Sequence, residues 1–145
     1  MNLLPDVLAR HEVVWHVAQH GAVDEALAPL RRLAPAAEIH ADTLHPLANL
    51  ATFATELLDM DAVLTADNTL LHLAGGLGIE TLGMLSVPAY WAWPATGTES
   101  RWYDSVRLLR QDQPGRWQPM LAAVDAELER IAASSRTSDV SLRSA

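Results

Sequence analysis

Three consecutive polar residues, Asp67, Asn68 and Thr69, follow a short apolar run and open the stretch "TADNTLLHLAGGLGI". A carboxylate, an amide and a hydroxyl at the point where a strand gives way to a helix suit the binding of an anion. The first N–H groups of a helix have no internal partner, and the positive end of the helix dipole lies there. Asn68 and Thr69 add side-chain donors. The same residues also make an ordinary helix start, with Asp67 as the N-cap accepting hydrogen bonds from free backbone N–H groups. His72 is four residues beyond Asn68, so the two share a helical face. A histidine there is either a titratable group beside a ligand or a packed ring satisfied by a neighbour.

Other patterns imitate chemistry without its spacing. In "HEVVWH" the histidines at 11 and 16 are five apart. On a helix that puts them roughly 140° from each other, where they cannot share a zinc ion. Asp59 and Asp61 in "DMD" resemble an acidic pair for a divalent cation, but they fall between a helix pattern and a buried strand. They read as solvated turn carboxylates at the edge away from the expected pocket. Gly75, Gly76 and Gly78 in "GGLG" come at the end of a helix and before a strand. A dinucleotide loop needs the reverse order, so these glycines read as close helix packing and a stop.

The elements that must position these residues alternate. Short apolar runs predict strands at residues 13–18, 37–41, 62–66, 81–86 and 105–111. Helical periodicity predicts helices ending near Ala34, over residues 47–58, after Asp67, and through "GRWQPMLAAVDAELERIAA". Pro119 near the start of the last is tolerable, because early helical N–H groups are unpaired. Strand–helix repeats of this kind predict an α/β fold, a doubly wound parallel sheet of about five strands, with ligands at the carboxyl ends of the strands. Three loops fall at that edge: 19–21, 67–69 and 87–103. Residues 1–132 are expected to form one lobe and 133–145 a disordered tail.

The loop "VPAYWAWPATGTESRWYD" holds three Trp and two Tyr. Large rings are costly to expose, so it is expected to cover the sheet edge, wall a cleft or pack on another domain. The net charge of −8 argues against a nucleic-acid backbone or an anionic membrane as the main partner, while leaving room for a small anion in a locally positive pocket. All ten basic residues are Arg. With no Cys, disulfides, thiol catalysis and cysteine metal sites are excluded. No stretch reads as a signal peptide or approaches the roughly 20 apolar residues of a membrane span, and a cytoplasmic protein is expected.

Taken together, "DAVLTADNTLLHLAGGLG", "WAWP", "SRWYDSVRLLRQ" and "GRW" resemble, in order and spacing, the C-terminal lobe of bacterial heptosyltransferase-like glycosyltransferases of family 9. The likeness is to the branch often fused to tetratricopeptide repeats and covers about half the chain. "VAQHG" sits where that branch has a strand and a Gln-x-Gly turn. The resemblance implies one Rossmann-like lobe of a two-lobed GT-B enzyme, the lobe that holds a nucleotide-diphosphate sugar. Transfer in the family inverts the anomeric carbon and needs no metal, so no cofactor is implied. By position, Asp67, Asn68, Thr69 and His72 would lie at the donor site, with Gln19, His20 and Gly21 lining its other side.

The chain departs from the family at three of these places. It has Asn68 where Thr commonly follows the Asp, His20 where Lys or Arg often stands, and Ala92 where Arg often separates the two tryptophans. The last two remove cationic contacts to a diphosphate. The resemblance also implies that the acceptor lobe is missing, to be supplied by the same polypeptide or another chain. No residue is assigned as general base. The expected function is therefore donor binding without sugar transfer by this chain alone, and the alternative is a non-catalytic interaction module built on the same fold.

Overall fold

The structure is a computed structural model; it describes residues 3–19, 23–41, 44–45 and 49–142. Among the described residues it is mixed α/β, with five helices and two parallel sheets. Contacts group the chain into two compact units, Met1–Leu57 and Leu58–Ala145.

The first unit contains α1 (Leu3–Arg10), β1 (Val14–His16), α2 (Val23–Leu33), β2 (Glu38–His40) and α3 (Leu50–Leu57). Strands β1 and β2 pair in parallel, with Val14 opposite Glu38 and His16 opposite His40. The Trp15 indole donates to the Leu8 carbonyl at 3.2 Å, which ties β1 to α1. In α2, Asp24 and Glu25 occupy the first turn and Arg31 and Arg32 the last, an arrangement that complements the helix dipole. Helix α1 has no counterpart in the sequence expectations. Helix α3 starts at Leu50, later than expected, because the Asn49 side chain accepts from the Thr52 N–H at 2.8 Å and caps it.

The second unit contains β3 (Ala62–Ala66), α4 (Thr69–Gly76), β4 (Glu80–Leu85), β5 (Val106–Arg110) and α5 (Gln118–Leu142). Its sheet has the order β3-β4-β5, all parallel. The central strand, "ETLGML", is buried along most of its length, as a parallel strand covered on both faces must be. Leu71 of α4 packs directly over Gly83, where a Cβ would lie 2.9 Å from its Cδ1. The end of α4 is a Schellman turn. Ile79 N–H donates to Ala74 C=O and Gly78 N–H to Gly75 C=O, both at 3.1 Å. Gly78 adopts φ +76°, the left-handed conformation that terminates the helix, as its position predicts.

The expected single sheet of about five strands is instead two sheets, of two and three strands. Strand β2, "EIH", carries Glu38 and His40 on three residues, too short and too polar for an inner strand of a covered parallel sheet. The last helix, expected to end at Ala133, extends to Leu142. Its Ser- and Thr-rich end has modest helix propensity, but no Gly or Pro breaks the pattern after Pro119. Arg130 of α5 pairs with Glu80 of β4 and with Glu127, and Glu127 also meets Arg107 of β5 at 3.3 Å, fastening the helix to the sheet. Among the described residues no helix is long and apolar enough to cross a membrane.

Candidate functional site

The site is built at the carboxyl end of β3. Thr65 is buried and Asp67 half-buried; Asn68 then turns the chain with extended backbone angles, φ −150° and ψ −174°. Its side-chain oxygen accepts from the Leu70 N–H at 2.9 Å and from the Thr65 hydroxyl at 3.2 Å. The N-cap of α4 is therefore Asn68 and not the expected Asp67. The Asp67 carboxylate has another partner: the Trp93 indole N–H donates to its Oδ1 at 2.8 Å. Trp93 is only 4% exposed. A buried indole N–H needs an acceptor, and a carboxylate is a strong one.

His72, one turn into α4, stacks on Trp93 with ring centroids 5.0 Å apart and planes 18° from parallel. Its Nδ1 lies 3.2 Å from the Tyr103 hydroxyl, whose ring meets His72 edge-on. Asp67, Trp93, His72 and Tyr103 thus form a continuous polar and aromatic chain across the helix start. It rests on a core of Leu71, Leu85, Val106 and Leu108. Gly75 makes room for it. A Cβ there would lie 2.7 Å from Tyr103 Cγ and 2.8 Å from Val106 Cγ2.

The loop after β4 is pinned by several bonds. Arg110 donates from Nε to Gly97 C=O at 3.1 Å and from Nη2 to Pro94 C=O at 2.5 Å. Partial burial lowers the pKa of Arg110, which stays a cation. Leu108 N–H donates to Thr98 C=O at 2.7 Å, and the Trp102 indole to Ala92 C=O at 2.9 Å. Ser100 Oγ accepts from the backbone N–H groups of Trp102 and Tyr103. Some aromatics remain in solvent all the same: Tyr90 is 53% exposed, Trp91 79% and Trp102 61%.

Asp67, Asn68, Thr69 and His72 are brought together. Gln19 belongs to the first unit, at an exposed position after β1, and His20 and Gly21 lie outside the described residues. The "HEVVWH" histidines are not on a common helix, since His11 follows α1 and His16 ends β1, stacked on His40. Asp59 and Asp61 are exposed in the turn before β3. Among the described residues no three His, Asp or Glu side chains are grouped as metal ligands. A polar cleft of about 430 Å³ opens at the opposite, amino edge of the sheet, beside Glu80, Ser105, Arg107 and Arg130; its arginines are already paired with carboxylates.

The contacts that sequence reasoning missed are long-range ones. Trp93 reaches Asp67 across 26 residues and Tyr103 reaches His72 across 31. The only signal for them was the density of rings in the loop. Comparison with protein families, curated proteins and solved structures gives no match. Chemically, the helix start offers hydrogen-bond donors. Among the described residues, no partner occupies the Thr69 N–H, the Thr69 hydroxyl, the Asn68 side-chain NH₂ or the second nitrogen of His72.

Proposed function

We propose that the second unit binds a nucleoside diphosphate, as the donor site of an inverting, metal-independent glycosyltransferase whose acceptor lobe is separate. The observation that carries this reading is the start of α4. It is a solvent-exposed, Asn68-capped helix end at the carboxyl edge of a parallel sheet, with Asn68, Thr69 and His72 all within its first turn or so. The strand–helix–strand unit β3-α4-β4 is what a Rossmann-like lobe requires there. In catalysis such donors would stabilise the departing diphosphate as an acceptor oxygen attacks the sugar carbon. No group in the second unit is assigned as the proton acceptor, so this chain alone is expected to bind donor without transferring sugar.

A non-catalytic interaction module is the second reading, and Asp67 favours it. A carboxylate next to a bound diphosphate repels it, and one helical N–H, that of Leu70, is already occupied by Asn68.

Calorimetry with a panel of nucleoside diphosphates separates the two. Absence of heat from every member at millimolar concentration removes the donor-site reading. Thr69 is the first residue of α4, and Asn68 before it is extended, so proline fits at 69 without strain. Thr69→Pro is expected to weaken binding beyond Thr69→Ala, because it alone deletes the backbone donor.

A further inference from the structure

We propose that Trp91, with Tyr90 against it, is the platform on which the nucleobase of the bound diphosphate stacks; the inference rests on the donor-site reading and specifies the part of the ligand that reading leaves open. The exposed indole is the largest apolar surface left uncovered in the loop, at 79% accessibility, and the Tyr90 ring lies 5.3 Å from it. The backbone that carries it is held in place. The Trp93 N–H closes a turn onto Tyr90 C=O at 3.1 Å, so Trp91 sits at the head of that turn. The Trp93 side chain is fixed to Asp67, the residue before the α4 cap. On the far side, the Trp102 indole holds Ala92 C=O at 2.9 Å. The ledge is therefore tied from both sides to the ground beside the helix start.

A buried core ring needs no other explanation, but exposed rings on a pinned loop do. They lose apolar area to water, and the bonds that hold them already cost the loop its conformational entropy. A flat heteroaromatic base suits such a surface, because every base presents a π-face and the net charge of −8 disfavours polynucleotide as the source of that base. The diphosphate then faces the donors of Asn68 and Thr69, and the base lies on the loop.

The test is calorimetry on the 145-residue chain with ADP, GDP, CDP and UDP, and with inorganic pyrophosphate, for the parent, Trp91→Ala and Trp91→Phe. Trp91 is 79% exposed, so the thermal and urea unfolding of the variants should match the parent. Loss of one stacking ring is expected to weaken the nucleotides by about 5- to 150-fold, the equivalent of ~1–3 kcal/mol, while leaving pyrophosphate as it was. Trp91→Phe should keep most of the affinity. Nucleotides that bind Trp91→Ala as well as the parent overturn the platform and leave the anion site standing. Absence of binding by every probe overturns both.

Discussion

Gly75 is the position at which the packing around the candidate site is most exposed to test. Replacing it with Ala adds one methyl, and the structure specifies what that methyl meets: Tyr103 Cγ at 2.7 Å, Tyr103 Cδ2 at 2.8 Å and Val106 Cγ2 at 2.8 Å. Real Cβ atoms do not approach so closely, and Val106 is held in β5, so Tyr103 must give way. Overpacking of this kind costs ~1–3 kcal/mol. Against it stands the helix propensity of Ala over Gly, ~0.8–1 kcal/mol in a helix interior. The next residue separates the two effects. Gly76 is exposed in the same helix turn and a Cβ there has nothing within 4 Å.

Gly76→Ala should therefore stabilise the second unit by about 0.5–1 kcal/mol, and Gly75→Ala should fall below it by ~1–3 kcal/mol, with the shared propensity term cancelling between the two. Urea unfolding followed by circular dichroism measures both. Near-ultraviolet dichroism should change in Gly75→Ala alone, because moving Tyr103 disturbs the contact with His72 and the stack on Trp93. If Gly75→Ala proves as stable as Gly76→Ala, with an unaltered aromatic signal, then Tyr103 is not wedged against α4 and the account of how His72 is held is wrong.

Other consequences follow from single contacts. Asn68→Ala should cost ~0.5–2 kcal/mol in urea unfolding by freeing the Leu70 N–H, and Asn68→Asp or Asn68→Ser should restore most of it. In the first unit, Glu56 accepts from the backbone N–H of His45 at 2.8 Å and meets its Nδ1 at 2.7 Å. These contacts, the backbone bond foremost, hold its carboxyl below the usual carboxylate range. With a folded value below the unfolded one, the contribution to stability is complete above the ordinary carboxylate pKa and is lost as pH falls through the folded value. An NMR titration of the Glu56 carboxyl carbon should show a midpoint below the ordinary glutamate value, and Glu56→Gln should remove that part of the acid sensitivity.

How legible each element was follows from what its neighbours supply. Strand β3 matches residues 62–66 because Asp61 and Asp67 flank a short, largely apolar run, and β5 lies within one residue of its expected ends, with Asp104 and Asp112 beyond them. The Gly78 stop was readable because positive φ is a local demand that few residues but glycine meet. Assembly was not readable. Whether β2 joins β3 is decided by ladders between distant segments, and "AEIHA" has the period of a strand without saying which edge it serves. Helix α1 (Leu3–Arg10) has no counterpart among the sequence expectations, although its Pro5 falls in the first turn, where proline is tolerated. The far end of α5 was set by terminal position alone, whereas the helix extends to Leu142 in a segment that holds no Gly or Pro.

The same division runs through the site. Sequence placed a polar helix start after β3, and the helix start is there, but the choice of Asp67 over Asn68 as its cap turned on a residue 26 positions away. Either side chain can cap, and local preference ranks them nearly equal. Trp93 breaks the tie. Its indole N–H is buried with the ring and demands an acceptor, so the carboxylate goes to Trp93 and the amide is left to the helix. Two things follow for a ligand. The charge that would most oppose an anion is drawn into a hydrogen bond under the loop, and the residue that remains at the cap is the one whose side chain both accepts from the helix and keeps an NH₂ to donate. The acid thus serves to lock the aromatic loop against α4, and the proposed anion site is left to Asn68, Thr69 and His72.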